Sequence, residues 1–251
     1  MTQFATAPDG VRIAYDDVGE GHAVVLIHGF GANRLQNWRA PGWYDTLLGA
    51  GYRVIALDCR GHGESDKPHD VAAYDEKKMI GDVMAVMKAA PVGHAFIMGY
   101  SMGGYMTVRL LNTNPSLARR AVVGGVGGVY FTRDNEWRVM IADAIAAGPD
   151  ASLESAEERM FQAFANQPGK DAVALAACMR APRQVLTAAE LRAIKTPVLV
   201  VCGGEDQVSG PPEPLAEAFA HGRAVVIPKR DHMLTVGDKL YKKAVLEFLA
   251  E

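Results

Sequence analysis

Gly99-Tyr100-Ser101-Met102-Gly103 is the stretch that decides how this chain folds. The apolar run His94-Ala95-Phe96-Ile97-Met98 precedes it, and the helix-compatible run Gly104-Tyr105-Met106-Thr107-Val108-Arg109-Leu110-Leu111 follows it. The pattern is therefore G-x-S-x-G between a strand and a helix, the setting of a nucleophile elbow. On so sharp a turn a serine has a strained backbone and its hydroxyl is pushed into the open. Glycines are expected on both sides, because a Cβ there would collide with the neighbouring strand or helix. The helix N-terminus beneath the serine favours developing negative charge.

Outward from the elbow, strands and helices alternate. Strands are expected at Gln3–Thr6 and Val11–Tyr15, joined by the turn Ala7-Pro8-Asp9-Gly10. Unbroken apolar runs at Ala23–His28, Tyr52–Asp58 and Val198–Cys202 read as strands buried on both faces. Ala121–Gly124 and Ala224–Ile227 complete a set of eight with the elbow strand. Met79, Ile80, Val83, Val86 and Met87 have helical spacing within Asp75–Ala89, and an amphipathic helix closes the chain at Asp238–Ala250. This rhythm predicts an α/β class fold, a mostly parallel eight-stranded sheet with helices on both faces. The stretch from about 130 to 194 breaks the rhythm, being rich in Ala, Glu, Met and Arg with no plausible strand. It is expected to form a helical cap over the strand C-termini, where open α/β sheets bind ligands. Residues 1–251 are expected to form one domain with this cap inserted.

Composition narrows the partners. The chain has 251 residues, 49% hydrophobic and 22% charged, with a net charge of -3. There is no basic run and no basic–aromatic interleaving, so no nucleic-acid partner is expected. No stretch reaches the roughly 18 uninterrupted apolar residues of a membrane span. The first residues do not read as a signal peptide. Cys59, Cys178 and Cys202 are odd in number and widely spaced in apolar surroundings, which fits small core residues in a reducing compartment, the cytoplasm by default. No Cys or His pair has metal-ligand spacing, so neither a metal nor a cofactor is expected.

A serine hydroxyl needs a base, and the base needs a group to orient it. After the strand Val198–Cys202 comes Gly203-Gly204-Glu205-Asp206-Gln207-Val208, and after Ala224–Ile227 comes Pro228-Lys229-Arg230-Asp231-His232-Met233. Ser101, Asp206 and His232 thus lie at three strand ends in the chain order Ser, Asp, His. Glu205 rivals Asp206, but adjacent residues leaving a strand point differently, and the residue further into the loop is preferred. Asp231 reads as a loop-bracing acid. His28 and His62 read as loop braces, His94 as a strand start, and His22, His69 and His221 as surface residues. Two backbone N–H groups are expected to face the oxyanion, those of Met102 and Phe30, the latter between Gly29 and Gly31.

These segments resemble the α/β-hydrolase superfamily over nearly the whole chain. The carriers are His28-Gly29-Phe30-Gly31, Asp58-Cys59-Arg60-Gly61-His62-Gly63-Glu64-Ser65, Gly99-Tyr100-Ser101-Met102-Gly103-Gly104, Gly204-Glu205-Asp206 and Asp231-His232. Serine followed by Met-Gly-Gly is similar to the branch of small esterases, cofactor-free haloperoxidases, enol-lactonases and carbon–carbon bond hydrolases. The resemblance implies an α/β-hydrolase fold and structural roles for Arg60 and His62. Relatives with an aspartate elbow form alkyl-enzyme esters, which Ser101 makes improbable here.

The expected activity is that of a serine hydrolase of the carboxylesterase type. It would cleave a small-molecule ester, lactone or thioester through an acyl-enzyme. The alternative within enzymes is hydrolysis of a carbon–carbon bond or an enol-lactone in a carboxylate-bearing substrate. That reading expects an arginine over the serine, with Arg138, Arg159, Arg180 and Arg183 as candidates. A non-turnover small-molecule receptor on the same scaffold is the alternative from another class. Tyr100, Met140, Phe161 and Phe164 are expected to line an apolar pocket, with further cap residues such as Met160 and Met179.

Overall fold

A computed structural model describes residues 1–251. The strands are β1 (Gln3–Thr6), β2 (Arg12–Val18), β3 (His22–Ile27), β4 (Tyr52–Leu57), β5 (Ala95–Tyr100), β6 (Ala118–Gly124), β7 (Val198–Gly203) and β8 (Gly222–Ile227). They form one sheet in the order β1-β2-β4-β3-β5-β6-β7-β8. β2 is antiparallel to β1 and β4, and the remaining pairs are parallel. This is the α/β-hydrolase fold. The apolar runs foresaw every strand, although several are longer than expected. β2 extends to Val18 because Asp16, Asp17 and Val18 pair with Ala56, Ile55 and Val54.

Side chains alternate across each strand, and the two faces find different partners. Val25 and Ile27, Ile97, Val123 and Val200 pack on one face against α2 (Glu76–Ala89), α3 (Met102–Thr113) and α8 (Glu213–Ala218). Val24 and Leu26, Phe96, Met98 and Tyr100 pack on the other, against α1 (Trp43–Gly49) and α10 (Lys239–Ala250). Burying both faces is what makes β5 and β7 continuous apolar runs.

Between β6 and β7 lie α4 (Asn135–Ala146), α5 (Ala156–Ala165), α6 (Ala172–Arg180) and α7 (Ala188–Ala193). Their starts follow local chemistry. Asp134 and Asp171 cap α4 and α6, and Ser155 with Glu158 and Thr187 with Glu190 form capping boxes. α4, α5 and α6 share a small core of their own that includes Ile141, Ile145, Ala165 and Leu175. Leu191 of α7 packs instead into the main core. No helix is long and apolar enough to cross a membrane.

Candidate active site

β5 runs into Ser101, whose backbone takes φ 52° and ψ -113°, outside the regions open to most L-residues. The turn persists because packing enforces it. Ser101 N–H donates to Gly124 O at 2.8 Å, and Tyr105 N–H returns to Ser101 O at 3.1 Å. A Cβ on Gly99 would lie 2.0 Å from Gly103 O, and one on Gly103 would lie 2.0 Å from Ile27 O. Helix α3 thus approaches the sheet at a distance that admits hydrogen alone, and its N-terminus comes directly under Ser101.

After β3, the loop His28-Gly29-Phe30 turns towards the elbow, with the Cβ position of Gly29 3.4 Å from Ser101 Cβ. Asn37 holds this loop by accepting Gly29 N–H at 3.0 Å. Phe30 N–H has no hydrogen-bond partner within the protein, and Met102 N–H opens α3, where a helix supplies no acceptor.

The acid and the imidazole come from the ends of β7 and β8. Asp206 is buried, and His232 Nδ1 lies 2.8 Å from its Oδ2. Oδ1 accepts the N–H groups of Val208 (3.0 Å) and Ser209 (2.9 Å). Ser209 Oγ donates to Oδ2 at 2.8 Å and lies 3.1 Å from His232 Nδ1. Burial pushes the Asp206 pKa up, but the hydrogen bond and charge of His232 and the Ser209 donors outweigh it. The net direction is down, so this carboxylate is ionised at neutral pH. An ionised Asp206 fixes the proton of His232 on Nδ1 and leaves Nε2 as the basic nitrogen.

Tyr100, next to Ser101, donates its hydroxyl to the backbone carbonyl of His232, and the two rings stand 5.4 Å apart. Gly125 lies against both, its Cβ position 3.0 Å from His232 Cε1. Ser101 and His232 therefore flank the same few residues. No direct hydrogen bond joins the Ser101 hydroxyl to the imidazole.

The rivals fall elsewhere. Glu205 is exposed. Asp231 caps the short helix α9 (His232–Thr235), accepting from Met233 and Leu234 N–H, so His232 opens a helical turn where a loop was expected. His28 is buried, with Nε2 accepting Cys59 N–H at 2.9 Å, and burial lowers its pKa to about 4. His62 is held by the Arg60 carbonyl, and burial lowers its pKa to about 3. Arg60 is locked by Asp82 (2.6 and 2.7 Å) and Asp9. His22, His69, His94 and His221 are exposed.

A cavity opens above Ser101 and Met102, lined also by Phe30, Trp137, Phe161 and Met179. Among the expected pocket residues, Phe161 and Met179 line it. Tyr100 points to the opposite face of the sheet, into the α1–α10 core. Met140 is 37% exposed on the outer side of α4. Phe164 lies against Gly31 with the Lys170 ammonium 3.2 Å from its ring centre.

Of the four candidate arginines, Arg138 and Arg183 line the cavity. Arg159 is exposed and donates to the Leu153 and Glu154 carbonyls, and Arg180 pairs with Asp143 at the surface. Sequence reasoning missed Ser209. The one available signal was its place three residues after Asp206, the spacing of a carboxylate that caps its own turn. No group of three or more His, Cys, Asp or Glu side chains is arranged to hold a metal.

A model described as the alpha/beta hydrolase family matches residues 24–239. A putative 2-succinyl-6-hydroxy-2,4-cyclohexadiene-1-carboxylate synthase of Bacillus subtilis is 26% identical over 97% of both chains. A 2-hydroxymuconate semialdehyde hydrolase of Pseudomonas sp. strain CF600 is 31% identical over 79% of this chain and 75% of that one. Among solved structures, an esterase from Exiguobacterium antarcticum superposes with a TM-score of 0.81 over the whole of both chains at 24% identity, a likeness of fold.

Proposed function

The chain belongs to the alpha/beta hydrolase family, and from that premise we propose that it is a serine hydrolase cleaving carboxylic esters, lactones or thioesters through an acyl-enzyme. One observation carries the reading: Asp206, ionised and held by four donors, binds Nδ1 of an imidazole beside a serine on a strained strand-to-helix turn.

In this mechanism the Ser101 hydroxyl turns to His232 and gives its proton to Nε2 as Oγ attacks the substrate carbonyl carbon. The N–H groups of Phe30 and Met102 receive the oxyanion, assisted by the positive end of α3. Collapse of the tetrahedral adduct breaks the carbonyl–leaving-group bond. The imidazolium returns its proton to the departing alkoxide or thiolate. A water then repeats the sequence, releasing the acid and regenerating Ser101. Asp206 keeps its charge throughout and stabilises the imidazolium.

The test compares the protein with Ser101→Ala on p-nitrophenyl butyrate, with fluorophosphonate labelling in parallel. Turnover is expected to fall by about 10⁶ and labelling to vanish. Full activity in Ser101→Ala refutes the mechanism, and labelling of the unaltered protein without repeated turnover points to a receptor.

A further inference from the structure

A second cavity, of about 170 Å³, lies beside the oxyanion loop and contains none of the proposed catalytic residues. Its walls are residues 31–33 after β3, residues 61–63 with Lys67 after β4, and residues 168–171 between α5 and α6. The lining is mostly polar, unlike that of the cavity above Ser101.

His62, in this wall, is 3% exposed. Its Nδ1 stands 2.9 Å from the Arg60 carbonyl, so Nδ1 carries the proton, and Nε2 keeps a lone pair that no protein donor meets. A buried acceptor left unmet costs stability unless something in the cavity donates to it. Two ammonium groups share the space. Lys67 Nζ donates to the carbonyls of Gly63 (2.6 Å) and Ser65 (2.9 Å), and Lys170 Nζ to that of Phe164 (2.9 Å). The one carboxylate in the wall, Asp171, pairs with neither. Its Oδ2 lies 2.9 Å from His69 Nε2, and its Oδ1 accepts Ala174 N–H at 3.0 Å. Behind the loops, Asp58 and Glu64 are matched by Arg34. Burial drives the Lys170 pKa down to about 8, the mark of a cation short of water and without a counterion. Asn33 spends its Oδ1 on the N–H groups of Leu35 and Gln36, which leaves its NH₂ a free donor.

An occupant has two tasks: to accept from Lys67, Lys170 and Asn33, and to donate to His62. A neutral alcohol donates but leaves the ammonium groups without countercharge. A carboxylate or sulfate brings the charge, yet at neutral pH it offers only lone pairs to Nε2. Bicarbonate has an O–H and two further oxygens. Hydrogenphosphate has an O–H and three, one for each donor group, and the volume admits it with a few waters. We propose that this cavity binds a free hydrogenphosphate ion, its O–H donated to His62 Nε2 and its charged oxygens held by Lys170, Lys67 and Asn33. The site goes beyond the hydrolase reading and does not depend on it. The His62 ring meets the Phe30 ring edge-on at 5.8 Å, and Phe30 lines the Ser101 cavity, so the ion sits one aromatic ring from the oxyanion loop.

The experiment is calorimetric titration of the full chain in HEPES at pH 7.5 and constant ionic strength. The titrants are phosphate, arsenate, sulfate, bicarbonate and methyl phosphate. Phosphate and its isostere arsenate are expected to bind one per chain, about tenfold or more tighter than sulfate, which leaves Nε2 unmet. Methyl phosphate, with a second pKa of about 6, has lost its proton at this pH and follows sulfate. Lys170→Met weakens phosphate by about tenfold. His62→Asn keeps a donor for the Arg60 carbonyl but removes Nε2, and brings the phosphate-to-sulfate ratio towards one. Circular dichroism checks that both variants fold, and the selectivity series on the unaltered protein needs neither.

No heat with millimolar phosphate overturns the site, and so does sulfate bound as tightly as phosphate. Affinity unchanged in both folded variants places the ion elsewhere and overturns it too. Bicarbonate or methyl phosphate bound more tightly than phosphate refutes hydrogenphosphate as the occupant.

Discussion

Replacing Ser209 by alanine isolates one hydrogen bond within the proposed acid–imidazole pair. Asp206 accepts four donors, and the backbone N–H of residue 209 survives the change, so only the Ser209 Oγ–Oδ2 bond of 2.8 Å is lost, with the 3.1 Å approach to His232 Nδ1. A hydrogen bond to a charged group is worth about 1.5–3 kcal/mol. If all of it were felt in the transition state, kcat would fall by about 10–100-fold. The remaining three donors keep Asp206 ionised, so the lower end applies, about tenfold, with KM within twofold. Losing the hydroxyl also leaves Oδ2 more basic, because Ser209 is among the groups that hold the Asp206 pKa down. The pair then retains its shared proton more tightly, and the acidic limb of kcat/KM against pH moves to higher pH. A merely structural serine would lower stability without moving that limb. Ser209→Thr, which keeps an Oγ, restores both kcat and the limb. The assay is steady-state hydrolysis from pH 5 to 9. A kcat and a pH profile both unchanged in a folded Ser209→Ala protein refute the positioning role.

Asp206→Asn should cut kcat by about 10⁴ by spoiling the imidazole tautomer, while Glu205→Gln stays within twofold; equal losses in steady-state kinetics would reassign the carboxylate. Gly99→Ala forces a Cβ to within 2.0 Å of Gly103 O, so the elbow must open. A cost of about 1–3 kcal/mol or more follows, read as a Tm lower by roughly 5 °C or more and loss of fluorophosphonate labelling. His62 gives a pH prediction. Its folded pKa, lowered by burial to about 3, lies below the unfolded value of about 6.5, so the unfolded chain binds a proton that the native state refuses. Stability from this group is complete above about pH 6.5 and declines as pH falls towards 3. Between pH 7 and pH 5 the loss is about 2 kcal/mol. His62→Asn keeps a donor for the Arg60 carbonyl and removes the titration, so its urea-denaturation stability should fall by about 2 kcal/mol less over that range. Equal losses in the two proteins would refute the assignment.

What the sequence disclosed, and what it withheld, follows from the range of the forces involved. The elbow was legible because its determinants are local. Gly99 and Gly103 leave room for strand and helix to touch, and both flank Ser101 within five residues. Buried strands were legible because both faces of β5 and β7 are apolar. Strand ends were less so, since backbone pairing carries β2 through Asp16 and Asp17, whose charges meet the distant partners Arg34 (3.1 Å) and Arg53 (2.6 Å). Helix α8 carried no expectation from the sequence: it starts after Pro212 with Pro214 in its first turn, where the missing N–H costs nothing. The misplaced Tyr100 is a parity error that the sequence could have corrected. Phe96, Met98 and Tyr100 share one face of β5, the face that meets α1 and α10. Its true role, hooking the His232 carbonyl from 132 residues away, has no local signature. The arginines show the limit most sharply. Arg180 and Arg183 are three residues apart, yet one lies at the surface against Asp143 and the other over the Tyr105 ring. Helix α6 ends at Arg180, and Pro182 turns the chain inwards before Arg183, so helical spacing cannot relate the two. Charge patterns in sequence show which cations exist. Which of them meets a carboxylate and which a ring is set by the folded surroundings, as Arg180 against Asp143 and Arg183 over Tyr105 show.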